Sequence, residues 1–445
     1  MGPRASRPPD VSADSESCAL RTRAGGTPAV PQNHSTLDFR PWTISTYMTT
    51  NHSFDVAVVG AGVFGAWTAY LLSRAGAKVL LIDAYGPANS RASSGGESRI
   101  IRMGYGQDAI YTRMSQRSFA SWQELFARIN RPQLFQQTGV LWLAREDDSY
   151  CEATLKTFQQ NNVKFERLEL GELKRRYPQL ELDQISWGIL EPDSGILMAR
   201  QAVQAVFAEA LAAGVTYLAA AIRPAGTGEE GKSGKGQTKS HSRLESISTT
   251  TGREIVAGKF IFACGPWLPK LFPELLAGLI HVTRQEVFFL GVPAGDDRFN
   301  SPGMPTWMDI NELTYCLPNL DNRGFKIAID KHGPQFDPDS GERIVIPESI
   351  HAVRAYLARR VPSLRDAPVI ESRVCQYENT SNGDFLIDRH PRFENAWLVG
   401  GGSGHGFKHG PAVGEYVTSL TSGNAESEVR FALATKEPAQ ERKVF

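Results

Sequence analysis

From Phe54 onward, apolar residues recur with two different spacings, in short continuous or alternating runs and then at every third or fourth position. The run Val56 to Val59 predicts a buried strand, and Val79-Leu-Leu-Ile-Asp83 predicts a second one that ends in an acid. Between them, Trp67, Tyr70 and Leu71 form the apolar stripe of a helix. Helical spacing returns at Phe119, Trp122, Leu125, Phe126 and Ile129, and again at Val203, Val206, Phe207, Ala210 and Leu211, where Gly214 supplies a C-terminal cap. Gly139–Leu143, Val215–Ala219, Ser246–Thr249 and Lys259–Gly265 read as strands. From about 280 to 370 the pattern changes to antiparallel strands at Val287–Val292, Thr314–Leu317 and Phe325–Ile329, followed by a helix through Ile350, Val353 and Leu357. The chain then returns to strand, loop and helix: Trp397–Gly400, Gly400–Gly406, and a helix from Pro411 that ends before Gly423. The fold class is therefore α/β with an α+β portion: a Rossmann-like nucleotide-binding domain plus a second domain with a mostly antiparallel sheet.

The first strand–helix–strand unit carries a chemical message. Gly60, Gly62 and Gly65 lie between the strand and the helix, in the G-x-G-x-x-G spacing, and Asp83 ends the next strand. In that spacing the first glycine permits a tight turn, the second lets backbone approach a pyrophosphate, and the third lets helix and strand pack closely. The free N–H groups of the helix start, at Val63 and Phe64, and its positive dipole end then face the phosphates, while Asp83 accepts from ribose hydroxyls. Gly265 ends another buried strand, and Gly404-His405-Gly406-Phe407 precedes the last helix. Glycine-rich elements at both ends of the chain suggest one long cofactor held by both.

Composition narrows the setting. Lysine plus arginine equals aspartate plus glutamate at 48 each, so no global charge draws the chain to nucleic acid or an anionic membrane. Five scattered cysteines show no paired metal spacing, and their odd number argues against a disulfide framework, so a reduced, cytoplasmic location is expected. No apolar run has the length of a bilayer span, and no membrane partner is expected. Residues 1–47 are rich in Pro, Ser, Thr, Arg and Gly without periodicity, which predicts a disordered extension; Met48 leads into the first strand as an ordinary amino terminus would. The Gly/Lys/Ser run at 226–242 has the composition of a flexible surface loop.

Four blocks then carry a family resemblance: the glycine fingerprint, Ser98-Arg-Ile-Ile-Arg102, Cys375-Gln-Tyr377 with Phe385–Pro391, and Gly404-His-Gly-Phe-Lys408. Over about Phe54 to Gly423 the sequence resembles the monomeric sarcosine oxidase, N-methyltryptophan oxidase and pipecolate oxidase group of FAD-dependent amine oxidoreductases. The resemblance implies an FAD domain in three segments (54–135, 199–279 and 371–425), a substrate domain in two (136–198 and 280–370), and a C-terminal tail at 426–445. It implies that Cys375 is joined to the flavin by a thioether, and that Arg102 and Lys408 grip a substrate carboxylate, which two cations can do where water is scarce. It further places Lys326 at the flavin face to assist reaction with oxygen, Tyr377 and Tyr315 in the substrate pocket, and Ser93, Arg99 and His405 along the flavin. For each of these the plain alternative is structural: an ion pair, a core aromatic, a buried thiol or a satisfied histidine.

Two departures stand out. Ser94-Gly95 and Asp330 occupy positions where sarcosine-type members carry histidines, which puts sarcosine itself in doubt and permits a larger or partly cationic amine. The expected activity is oxidation of a secondary amine or an N-alkyl or cyclic amino acid, with hydride transfer to the flavin and electrons passed to O2, giving imine and hydrogen peroxide. The expected protein is a monomer that takes a small-molecule substrate and oxygen. The alternatives are a dehydrogenase of the same fold that serves a quinone or carrier, a flavin-binding protein without catalysis, and a nicotinamide enzyme. The last would leave the second glycine-rich element and the Cys375 block without a role.

Overall fold

The computed structural model describes residues 54–224 and 242–439. The expected N-terminal extension, and all but the last residue of the expected flexible loop, lie outside the described residues.

The first apolar run becomes the strand Phe54–Val59 near the middle of a seven-stranded sheet. It pairs in parallel with Val79–Asp83 on one side and with Glu254–Phe262 on the other. Ala396–Gly400 continues the parallel order beyond Glu254–Phe262, and Thr216–Ala219 beyond Val79–Asp83. Successive side chains point to opposite faces, and a parallel sheet must be covered on both. Val56 and Val58 accordingly pack under Trp67, Val203 and Val413 from helices, while Ala57 and Val59 join Phe260, Phe262 and Leu268 on the other face. The helices Val63–Arg74 and Gly410–Thr421 cross in close contact. A Cβ on Gly410 would lie 2.6 Å from Val63, and one on Gly414 would lie 3.0 Å from the Trp67 backbone. Those two glycines bring the two ends of the described chain together.

The second sheet has eight strands, in the order Val369–Thr380, Ile280–Leu290, Phe325–Ile329, Thr314–Leu317, Thr306–Asp309, Val140–Ala144, Trp187–Glu191 and Glu166–Glu169. All neighbours are antiparallel except Thr306–Asp309 with Val140–Ala144. One face carries Leu141, Phe288, Trp307 and Ile327, which are buried with Val353 and Leu357 of the helix Pro347–Arg360. The opposite parity of the central strands, including Val287, Tyr315 and Lys326, faces a cavity.

Three features of the fold add to the sequence reading. The boundary at 371 falls inside the strand Val369–Thr380, which pairs with Ile280–Leu290 over eleven registered positions, so Cys375 and Tyr377 come from the antiparallel sheet. The physical reason is the length of the strand Ile280–Leu290, which offers a backbone ladder that the following segment completes. Residues 99–101, 135–136 and 195–197 form a separate three-stranded sheet that the apolar pattern did not announce, because two or three residues are too short to show a period. The expected tail is packed as far as Lys436: Phe431 and Lys436 are buried, and Arg430 pairs with Asp108 and Asp384.

Candidate active site

A cavity of about 500 Å³ opens at the carboxyl ends of the parallel strands. Its floor is the turn between Phe54–Val59 and Val63–Arg74. Gly60 has φ +104°, and an added Cβ there would sit 2.2 Å from the Ala263 carbonyl. A Cβ on Gly65 would lie 1.8 Å from the Gly60 carbonyl, whereas one on Gly62 meets only Ser94 Oγ at 3.3 Å. The first and third glycines therefore serve the chain's own packing, and the second leaves room for a ligand. No side chain caps the helix, and its first backbone bond runs from Ala66 to Gly62, which leaves the N–H groups of Val63, Phe64 and Gly65 ahead of the ladder. Asp83 also lines the cavity; it ties the turn by accepting from the N–H groups of Ala61, Tyr85 and Gly86.

The far wall is built by Cys264, Gly265, Gly402, Gly404, Gly406 and Phe407. Glu378 borders the same space. One of its carboxyl oxygens accepts from the Gly402 N–H at 3.3 Å, and the other, Oε2, is buried with no partner among the described residues. Burial pushes this carboxyl up to about 7, so it holds its proton well above the usual glutamate range. A glycine cradle, an uncapped helix start and an orphaned buried oxygen around one cavity suit a dinucleotide such as FAD. Val63, Phe64 and Gly62 would face its phosphates, and Asp83 its ribose end.

A smaller cavity of about 70 Å³ shares Arg99, Tyr377, Gly404 and Phe407 with the larger one. Its roof is the antiparallel sheet. Cys375 and Tyr377 share one face of their strand, and Cys375 Sγ lies 3.6 Å from Arg99 Nη2. Arg99 is held by the Ser93 and Ser98 carbonyls, and the Ser93 hydroxyl donates to the Gln376 carbonyl, which ties this loop to the roof. Lys326 is 3% exposed and donates to the carbonyl and hydroxyl of Ser98 at 2.8 and 3.1 Å. Burial, then the nearby Arg99, hold its amine well below the usual lysine range.

The opposite wall carries two more cations, Arg102 and Lys408, each 4% exposed. The Arg102 guanidinium stacks 4.4 Å from the Tyr105 ring centre and 4.9 Å from that of Trp142, and it donates to the Gly104 carbonyl. Lys408 Nζ donates to Tyr105 Oη at 2.8 Å and to the His405 carbonyl at 2.9 Å, and burial followed by Arg102 holds it well below its usual range. Beneath them Glu191, 1% exposed, accepts from the N–H groups of Met103 and Gly104, the Trp142 indole and the Ser194 hydroxyl. This saturated carboxylate fixes the segment that carries Arg102. Two buried cations facing a small cavity can clamp an anion.

Most of the residues singled out in the sequence thus border two joined cavities. His405 is different in detail: its ring stacks on Phe385, its Nε2 lies 3.0 Å from the Gly383 carbonyl, and its Nδ1 lies 3.3 Å from Tyr105 Oη. Its side chain is engaged in packing, and its backbone serves Lys408. Tyr315 and Tyr377 have hydroxyls that burial pushes upward, and Tyr377 donates to Asp330 at 2.6 Å. Glu378, Glu191 and Tyr105 were not anticipated. Glu378 follows Cys375-Gln-Tyr377 directly, and that adjacency was the one signal for it.

Comparisons with known proteins bear on the family and the fold. A family model described as DAO, FAD dependent oxidoreductase, matches residues 55–420. A monomeric sarcosine oxidase from Bacillus sp. (strain NS-129) is 30% identical over 382 residues, covering 84% of this chain and 95% of that protein. An N-methyl-L-tryptophan oxidase from Salmonella arizonae is 29% identical over 369 residues, covering 81% and 93%. Among solved structures, a fructosyl peptide oxidase from E. terrenum superposes with a TM-score of 0.72 at 21% identity, over 89% of this chain and 96% of that one, and so shares its fold. The chain belongs to the FAD-dependent oxidoreductase family.

Proposed function

We propose that this protein is an amine oxidase that converts a secondary amine, or an N-alkyl or cyclic amino acid, to an imine while reducing O2 to hydrogen peroxide. The observation that carries the reading is the placing of Arg102, Lys408 and Lys326 around one small cavity that adjoins the nucleotide-shaped one. FAD, when bound, supplies the two-electron chemistry. Arg102 and Lys408 hold the substrate carboxylate and so fix which C–H bond points at the redox centre. Tyr315 and Tyr377 bound the amine's position, and the sheet above excludes water. Lys326 meets oxygen as a buried cation that stabilises developing negative charge. Cys375 is the thioether anchor, a role supported by its place in the smaller cavity, on the same strand face as Tyr377, which lines both cavities. The relatives named for sarcosine and N-methyl-L-tryptophan oxidation support the reaction class. The protein acts as a cytoplasmic monomer in which the parallel-sheet segments hold the cofactor and the antiparallel sheet holds the substrate.

Oxygen consumption and peroxide yield with a panel of sarcosine, pipecolate, proline, N-methyl amino acids and sugar-modified amino acids test the reading. One peroxide per amine consumed is expected. Turnover with a quinone and none with oxygen would move the protein to the dehydrogenase alternative.

A further inference from the structure

Asp330 follows the strand Phe325–Ile329, four residues after Lys326 and on the same parity. Its N–H donates to the Leu313 carbonyl at 2.5 Å, so its backbone is fixed. Among the described residues that line the smaller cavity, Asp330 is the one carboxylate. Oδ1 accepts the Tyr377 hydroxyl at 2.6 Å, and Oδ2 receives no hydrogen bond from a described residue. Ionisable groups face it from every side: Lys326 on its own strand, Tyr315 on the next, Tyr377 and Cys375 from Val369–Thr380, Arg99 and Arg102 from the small sheet and the residue after it, and Lys408 and His405 from the loop before the last helix.

This makes a cavity with two arginines, two lysines and a single acid. An amino acid at neutral pH brings a carboxylate and an ammonium group two bonds apart. Arg102 and Lys408 match the first, and only Asp330 matches the second. An ammonium nitrogen also has no lone pair with which to assist loss of hydride from the neighbouring carbon, so a proton must leave before oxidation.

We propose that Asp330 is the group that binds the substrate ammonium and takes its proton. The N–H bond breaks, its electron pair stays on nitrogen as the lone pair, and the proton goes to the Asp330 carboxylate, giving a neutral amine beside a neutral carboxylic acid. The later loss of two electrons from the C–H bond is the flavin oxidation of the proposed function, on which this inference rests. Burial pushes the Asp330 carboxyl up to about 7, against the downward pull of Tyr377, Arg102, Lys408 and Arg99, which narrows its mismatch with an ammonium group. The substrate class is a zwitterionic amino acid with a basic nitrogen. Apart from accepting the Tyr377 hydroxyl, the acid has no hydrogen-bonding role among the described residues.

The test uses the holoenzyme, Asp330→Asn and Asp330→Glu, with two probes: an amino acid that bleaches the wild type, and its deaza analogue with CH2 in place of NH. In the wild type, anaerobic flavin reduction is expected to speed up as pH rises through about 7, as Asp330 ionises. Asp330→Asn is expected to lose that rise and about 100-fold or more in reduction rate, a magnitude usual for a removed general base. Asp330→Glu restores part of both. The deaza analogue, followed by its perturbation of the flavin spectrum, binds the wild type more weakly as pH rises, and binds Asp330→Asn at least as tightly and without that pH dependence. Unchanged reduction and pH profile in Asp330→Asn would overturn the inference while leaving the oxidase reading intact, as would equal weakening of both probes. A wild type that binds the analogue but is reduced by no amine would overturn both.

Discussion

Lys326 and Lys408 lie in the same small cavity as Arg99 and Arg102, an arrangement that burial alone opposes and that an anion relieves. The charges therefore make separable predictions. Lys408→Gln is expected to raise KM for amino acids by about 10- to 100-fold, the worth of a lost charge-assisted hydrogen bond, and to spare amines that lack a carboxylate. Steady-state kinetics on both substrate types check it, and equal losses would remove the clamp. Lys326→Met is expected to slow reoxidation by oxygen by at least about 10-fold without slowing anaerobic reduction, which stopped-flow mixing resolves. Cys375→Ser is expected to release flavin into the supernatant on acid precipitation, while the wild-type pellet stays yellow. At this scale, the sequence exposed those residues that stand in short motifs. It did not expose Tyr105, Glu191 or Glu378, because burial of a polar group, and the partner that makes it tolerable, depend on segments distant in the chain: Lys408 meets Tyr105 across 303 positions.

Among the elements, the strand–helix–strand unit was the most legible, since β-branched runs, glycines and a terminal acid agree on one structure. The structure gives its glycines unequal duties, which a pair of substitutions can separate. Gly65→Ala drives a Cβ to 1.8 Å from the Gly60 carbonyl and is expected to cost several kcal/mol of stability, in the range of severe overpacking. Gly62→Ala meets only a hydroxyl at 3.3 Å and is expected to fold with near-native Tm yet retain little FAD. Thermal melts together with flavin-to-protein ratios distinguish the two. The elements that escaped the sequence share a cause. Trp187–Glu191 is buried along its whole length, including its acid, and so shows no alternation. Val369–Thr380 is polar at seven of its twelve positions, because it is an edge strand of its sheet and Cys375 and Tyr377 face a cavity rather than a core.

In the whole molecule, the fingerprint near the start and the glycine loop near the end meet because Gly410 and Gly414 let the last helix lie against the first. The sequence suggested that meeting through its two glycine-rich elements, but the roof above them depends on sheet pairing that only the folded chain displays. Glu378 sits in the seam between the two sheets, and its carboxyl, raised to about 7, has a consequence for stability. The unfolded chain loses this proton near the ordinary glutamate value while the folded chain keeps it, so the apoprotein is expected to lose stability as pH rises from about 4.5 to about 7. Glu378→Gln removes that term and is expected to gain on wild type by on the order of 3 kcal/mol across the interval, before solvent relaxation reduces it, as read by denaturant titration of both apoproteins. A constant difference between the two across that range would contradict the assignment. The central claim is that buried cations orient an acidic amine over a flavin held between the two ends of the chain. Anaerobic titration of the purified holoprotein with the amino-acid panel decides it: full bleaching of the flavin band by at least one N-alkyl or cyclic amino acid is expected, and a flavin that dithionite bleaches but no amine does would refute it.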